Sequence, residues 1–203
     1  MRANAAKDNV LFQIASYLIM KASNVRDIGL YHGKMGIVCS LYSYSFTTGN
    51  KCFEDYAWDL FQDVYSGVHE SMPLGVENGL AGVGCGVIMI NQMLKMDTNL
   101  NDVLWEIDKK IMLHDPRRMT DMSFRSGALG LWSYITMRKK FGILSSIDEV
   151  YQKELGECII NNNAVENTKT IMDEIAKPSW EASEYQGKAM GIDAGMAYYL
   201  LKT

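Results

Sequence analysis

The sequence predicts an all-α protein made of about four helical hairpins. Two observations lead to this prediction: a Gly-x-x-Gly pattern recurs along the chain, and apolar residues at helical spacing fill each interval between its copies. The composition agrees, because the 203 residues include only three prolines and few runs of β-branched residues. Four such units fill residues 1–203, so we expect a single domain.

The glycine pattern is the first recurring element. Three copies stand in register, with 46 and 48 residues between successive first glycines. The pairs are Gly33 and Gly36, Gly79 and Gly82, and Gly127 and Gly130. In a fourth, weaker copy we place Gly195 at the second glycine, with Gly191 one residue too early for the first. Because each glycine inside a helix costs about 1 kcal/mol relative to alanine, we expect these glycines to have a structural role.

An amphipathic helix precedes each glycine pair. The four apolar sets are Leu11, Ile14, Ala15, Leu18 and Ile19; Phe53, Tyr56, Ala57, Leu60, Phe61 and Val64; Leu100, Val103, Leu104, Ile107 and Ile111; and Ile147, Val150, Tyr151, Leu155 and Ile159. Each unit is therefore predicted to be an amphipathic helix, a loop and a glycine-bearing helix. Residues 161–180 are the least regular part, where we expect a short helix over Thr168–Ala176 and a loop.

Two explanations stay open for the glycines. Residues three apart lie on one helix face, so glycines there allow close packing against another helix or the close approach of a ligand. The residue before the first glycine is His32, Asn78 or Ser126. Since Asn and Ser are common N-cap residues, we expect Asn78 and Ser126 to cap their helices, whereas His32 is a poor cap.

In the segments GLYHGKMGI (29–37), NGLAGVGCGV (78–87) and SGALGL (126–131), the chain resembles the lanthionine synthetase C-like family. The resemblance extends over nearly the whole chain through the repeat pattern. It implies an α/α toroid, in which inner helices line a central cavity, outer helices surround them, and the glycine-bearing helix ends meet at one mouth. Four hairpins would form an arc, which is an incomplete ring compared with full-length members.

The resemblance also implies a zinc site that this sequence lacks. Family cyclases add a peptide thiol to a dehydrated Ser or Thr, and two Cys and one His just before inner-helix glycines hold the zinc ion. The corresponding residues here are Tyr31 and His32, Glu77 and Asn78, and Arg125 and Ser126. Only His32 is of a ligand type, and Cys39 and Cys85 lie about one turn later, where we expect buried core thiols. The sequence therefore predicts no cofactor and no stoichiometric zinc, and it assigns no catalytic residue.

The leading interpretation is a divergent family member that binds a peptide in lanthipeptide-type maturation without the zinc site. Its predicted binding residues are Tyr31, His32, Glu77, Asn78, Arg125 and Ser126. An ion pair is the simpler alternative for Glu77, Arg125 and Asp121. Two other classes stay open: an active thioether-forming cyclase or other toroid enzyme, completed by a partner chain or using carboxylates such as Glu77 and Asp121, and a helical-repeat scaffold that binds proteins.

Charge and cysteine content limit which classes of partner and which cellular compartment we expect. The net charge is -4 and the pI is about 5.4, which argues against a nucleic-acid or anionic-membrane surface. The apolar run 79–90 is too short to span a bilayer. The first apolar segment has polar interruptions typical of an amphipathic helix rather than a signal peptide. Four cysteines without a C-x-x-C pair indicate reduced thiols, so we expect a cytoplasmic protein. The family resemblance and the incomplete ring imply a peptide or protein partner.

An incomplete ring also predicts an exposed flank at each end of the chain. A homodimer would cover such flanks, whereas residues 161–180 folded back over one of them would leave a monomer. The expected flank residues are Phe12, Tyr17 and Ile19 in the first hairpin and Met196, Tyr198, Tyr199 and Leu200 in the last.

Overall fold

The computed structural model describes residues 2–95, 97, 99–143, 146–164 and 170–202, with the side chains of 2–5 left out. These residues form nine α-helices and no strand, so the all-α prediction is confirmed. The helices are α1 (Arg2–Lys21), α2 (Lys34–Thr48), α3 (Lys51–Ser66), α4 (Leu80–Leu94), α5 (Leu100–Met112), α6 (Ala128–Lys140), α7 (Glu149–Asn161), α8 (Ile171–Glu174) and α9 (Ala197–Leu201). Within this described part, no helix has both the length and the apolarity that a bilayer span requires.

The chain folds as two compact units. Unit 1 consists of Met1–Gly67 with Ile175–Thr203, and unit 2 consists of Val68–Glu174. Unit 1 therefore holds α1, α2, α3 and α9, and unit 2 holds α4 to α8. The single domain expected for residues 1–203 stays a prediction.

The helix before each glycine pair is amphipathic, as predicted. In α3 the buried side chains are Phe53, Ala57, Leu60 and Val64, and this face packs against α2. The side chain of Asn50 caps α3 by accepting a hydrogen bond from the backbone N–H of Cys52 (3.1 Å). The glycine-bearing helices α2 and α4, by contrast, are buried on nearly all sides over their first nine residues, which explains why their apolar pattern is continuous.

The fourth unit differs from its prediction. Of the helix expected over Thr168–Ala176, residues 168 and 169 lie outside the described residues, and α8 covers only Ile171–Glu174. The last helix is not an exposed flank, because α9 packs against α1 and α2 within unit 1, and Leu200 in it and Met196 just before it are fully buried. The flank expected at these two residues is therefore wrong. Phe12 in α1 remains 48% exposed.

A charged pair lies in the core of unit 2. Asp108 on α5 and Arg138 on α6 are both fully buried and form an ion pair. The Asp108 carboxylate also accepts hydrogen bonds from the Tyr134 hydroxyl (2.8 Å) and the backbone N–H of Ser146 (3.2 Å), while Arg138 donates to Asn101 (3.1 Å). Burial of the phenol, added to the nearby Asp108 charge, raises the pKa of Tyr134 well above its usual value. This network joins α5, α6 and the loop after α6.

Candidate functional site

The same backbone turn precedes the helices α2, α4, α6 and α9. We call it the glycine turn; its copies are residues 27–34, 73–80, 121–128 and 189–196. In each copy, the N–H of the last residue donates a hydrogen bond to the carbonyl of the first. The four bonds are Lys34 N to Asp27 O (2.8 Å), Leu80 N to Pro73 O (2.9 Å), Ala128 N to Asp121 O (2.9 Å) and Met196 N to Ala189 O (2.8 Å). The sequence repeat is therefore a repeat of backbone geometry.

The turn explains the first glycine of each pair. Gly33, Gly79 and Gly127 are the N-cap residues, and none of these three helices has a side-chain cap. A Cβ on Gly127 would lie 2.2 Å from the carbonyl oxygen of Asp121, so no larger residue fits there. The caps expected from Asn78 and Ser126 are therefore wrong, because backbone carbonyls of the turn bond the first helical N–H groups instead.

The second glycine has a similar cause. A Cβ on Gly36 would lie 2.1 Å from the carbonyl oxygen of Leu30, and one on Gly130 would lie 2.2 Å from that of Phe124. In both cases the crowding group is the chain six residues upstream. The close approach therefore comes from the preceding turn, and neither a ligand nor a neighbouring helix is needed to explain these glycines.

The fourth copy has a different register from the one that we assigned. Gly195 occupies the position of the first glycine, because the turn closes between Ala189 and Met196. Gly191 then corresponds to Gly75, and the segment GIDAG (191–195) corresponds to GVENG (75–79). The earlier placement of Gly195 at the second glycine is wrong.

Within each unit, two glycine turns lie side by side. In unit 1 the N–H groups of Ile192 and Asp193 donate to the carbonyl of Tyr31 (2.9 and 3.1 Å). In unit 2 the N–H of Glu77 donates to the carbonyl of Arg125 (2.9 Å). The two residues that precede the first glycine in one turn therefore lie beside the corresponding two residues of the neighbouring turn. Charged side chains occur at these positions in both units.

In unit 1 this arrangement brings His32 next to Asp193. The His32 Nε2 atom lies 3.6 Å from the Asp193 carboxylate, whose other oxygen accepts the N–H of Ala176 (2.7 Å). The His32 side chain is 47% exposed and the Asp193 side chain only 8%, so a fixed carboxylate faces an accessible imidazole. Both are ligand types for zinc. The Tyr31 side chain, also among the predicted binding residues, is fully buried and offers no surface to a ligand from solvent.

Asp193 is a functional candidate that the sequence prediction missed. It corresponds to Glu77 in the second copy, and the shared pattern Gly-[Val/Ile]-[Glu/Asp]-x-Gly could have revealed it. The signal was overlooked because Gly195 was placed three positions out of register.

In unit 2 the neighbouring turns bring Glu77 next to Arg125. The Arg125 guanidinium lies 3.4 Å from the Glu77 carboxylate and also donates to the carbonyl of Glu174 (3.0 Å). The ion pair predicted as the alternative is therefore present for Glu77 and Arg125, whereas Asp121 bonds to Ser126 and Ser123. Asn78, the other predicted residue of this turn, is exposed.

A hydroxyl cluster lies beside this pair. The Ser126 hydroxyl donates to Asp121 (2.6 Å) and lies 2.9 Å from the Ser123 hydroxyl. The hydrogen bond from Ser126, together with that from the Ser123 backbone N–H, lowers the pKa of the Asp121 carboxyl below its usual value.

A cavity of about 1020 Å³ opens beside these side chains in unit 2. Glu77, Arg125 and Ser126, three of the predicted binding residues, line it. The remaining walls come mainly from α6 and α8 and include Leu129 and Trp132. This volume is large enough for a peptide segment or a sizeable small molecule.

The two cysteines of the glycine-bearing helices are core residues, as expected. Cys39 and Cys85 are both fully buried. Burial raises the pKa of the Cys39 thiol to about 12, so this thiol stays protonated at neutral pH. A protonated thiol is a poor zinc ligand, because zinc binds the thiolate.

The fold and the four glycine turns define an all-α protein built from helical repeats. Comparison of the chain with protein-family models, with curated proteins and with solved structures finds no match. The resemblance to the lanthionine synthetase C-like family therefore stays a prediction.

Proposed function

We propose that this chain is a short, divergent relative of the lanthionine synthetase C-like proteins. In this proposal it binds a peptide during lanthipeptide-type modification in the cytoplasm, and it does so without the family's zinc site. The observation that carries the proposal is the cavity of unit 2, which opens next to Glu77, Arg125 and Ser126. The recurrence of the glycine turn supports the proposal, because these residues lie just before the first glycines of the α4 and α6 turns, where the family motif would have its ligands.

A peptide suits this cavity for chemical reasons. Ligand sites combine apolar walls with a few polar groups that fix orientation, and the cavity offers both. The Arg125 guanidinium is held by two contacts within unit 2 yet keeps a third of its side-chain surface exposed. It can therefore donate a hydrogen bond to a backbone carbonyl of a peptide without a large rearrangement.

The test is fluorescence anisotropy with labelled peptides of varied composition. We expect binding in the micromolar range, weakened about tenfold by Arg125→Ala, because charged hydrogen bonds contribute about 1.5–3 kcal/mol. The matched control is Arg117→Ala, since Arg117 is exposed and bonds to Asp115 outside the cavity. The absence of binding for every peptide at millimolar concentration would refute the proposal. So would about one zinc per chain by elemental analysis, if the metal is lost in His32→Ala.

An enzyme is the second candidate, and the His32–Asp193 pair favours it. A carboxylate that orients an accessible imidazole is a common arrangement for proton transfer or metal binding. In this alternative, His32→Gln would abolish turnover of a dehydrated peptide substrate while leaving peptide binding in unit 2 unchanged. Mass spectrometry of such a peptide, incubated with the protein and with zinc, distinguishes the two candidates.

A further inference from the structure

One face of α6 is open along its whole length. Leu129, Trp132, Ser133, Thr136, Met137 and Lys140 follow one another at helical spacing and all line the cavity of unit 2. A helix of 13 residues is about 20 Å long. An extended peptide rises about 3.3 Å per residue, so about six residues span this face.

The walls of this groove are suited to apolar side chains and to a peptide backbone. Met89, Phe141, Ile171 and Met172 provide apolar surface, and methionine side chains adapt to side chains of different shape. Ser133, Thr136 and Thr170 also line it, and the Thr170 hydroxyl donates a hydrogen bond to Asp173 (2.8 Å). Hydroxyls both donate and accept hydrogen bonds, so they can pair with either backbone group of an extended peptide.

The charges of the groove differ between its two ends. At the start of α6, Arg125 lies beside Glu77 and the backbone of Glu174, so two carboxylate residues accompany one cation. At the end of α6, the only charged lining residue in the described part of unit 2 is Lys140. A peptide that complements both ends carries a positive group near the Glu77 end and a carboxylate near the Lys140 end.

We infer that the α6 groove binds an extended segment of about six residues with an apolar centre, a basic residue at one end and an acidic residue at the other. This inference rests on the proposed peptide-binding function and names the class of peptide. It assigns a role in selectivity to Lys140, which sequence analysis did not single out.

The test uses three labelled six-residue peptides with the same four apolar central residues. One peptide has lysine at one end and glutamate at the other, the second has lysine at both ends, and the third has glutamate at both ends. We expect the mixed peptide to bind the wild-type chain about threefold to tenfold more tightly than either of the others. In Lys140→Glu the preference should move to the peptide with two lysines. Lys153→Glu, an exposed lysine on α7 outside the groove, should leave the order unchanged.

A steric variant tests the location separately. Thr136 is exposed in the middle of the α6 face, so Thr136→Tyr should weaken binding of the mixed peptide at least tenfold. Thr47→Tyr, at an exposed threonine of α2 in unit 1, is the matched control and should have no effect. Circular dichroism checks that both variants fold. Binding that is insensitive to both Lys140→Glu and Thr136→Tyr would overturn the inference while leaving the peptide-binding proposal intact. The absence of binding by any peptide would overturn both.

Discussion

The buried pair of Asp108 and Arg138 should contribute strongly to the stability of unit 2. Replacing Arg138 by methionine keeps most of the apolar stem but leaves the Asp108 carboxylate buried without its cation. Removing one partner of a buried ion pair typically costs about 3–5 kcal/mol. Asp108 keeps the hydrogen bonds from Tyr134 and Ser146, so we expect the lower end of this range, about 3 kcal/mol.

The assay is urea unfolding followed by circular dichroism at 222 nm, with the free energy of unfolding taken from the midpoint and the slope. The decisive control is the triple variant Arg138→Met, Asp108→Leu and Tyr134→Phe, which removes the stranded charge and the hydroxyl that bonds to it. If an unpaired charge causes the loss, the triple variant should regain at least half of it. A single variant within about 1 kcal/mol of wild type, or a triple variant no more stable than the single one, would refute this reasoning.

Four further outcomes follow from the structure. Gly130→Ala should destabilise unit 2 by about 2 kcal/mol or more in the same urea assay, because its Cβ would meet the Phe124 carbonyl at 2.2 Å, whereas Gly156→Ala in α7 has room for a Cβ and should gain up to about 1 kcal/mol. The exposed Cys52 should react with a thiol reagent in the native state, and Cys39, whose burial raises its pKa to about 12, should react only after unfolding; equal rates would contradict this. Ser126→Ala should raise the lowered pKa of Asp121 toward its usual value by NMR titration; because a depressed carboxyl pKa adds stability that is lost as the pH falls through the folded-state pKa, wild type should lose stability more steeply in acid than the variant. Light scattering should give about twice 22.9 kDa if the predicted homodimer forms through the exposed side of α1, and Phe12→Asp should halve that mass, whereas a wild-type mass near 22.9 kDa would exclude the dimer.

The helices were predictable because their apolar residues keep a helical period. The set from Phe53 to Val64 marks the buried face of α3, and the same reasoning locates α5 and α7. The short α8 was harder to predict, since four residues are too few to show a period. The burial of Met196 and Leu200 was missed because it depends on the two ends of the chain packing together, which no local pattern encodes.

The candidate site was predicted in part. Glu77, Arg125 and Ser126 were proposed from their position before a glycine, and they line one cavity because the glycine turn fixes that position in space. Asp193 was missed through an error of register. Lys140 was missed because a groove along a helix depends on how far the neighbouring helices extend, and the sequence of α6 alone does not show this. The capping role predicted for Asn78 was wrong for a different reason. Asn is a common N-cap residue, but at α4 backbone carbonyls of the glycine turn already accept the first helical N–H groups.

In the glycine turn, the backbone hydrogen bonds and the glycines are constrained, whereas other side-chain positions are free to vary. Its closing hydrogen bonds use only main-chain atoms, and its tight contacts constrain only the glycines. The position two residues before the first glycine is therefore occupied by side chains as different as Tyr31, Glu77, Arg125 and Asp193. Tyr31 and Asp193 are buried, but the residue that follows is exposed in the first three copies (His32, Asn78 and Ser126), and mutation could exchange it at little cost to folding. The turns therefore hold a variable, exposed side chain on a constant backbone, and a new binding preference could evolve here without a change in the supporting helices.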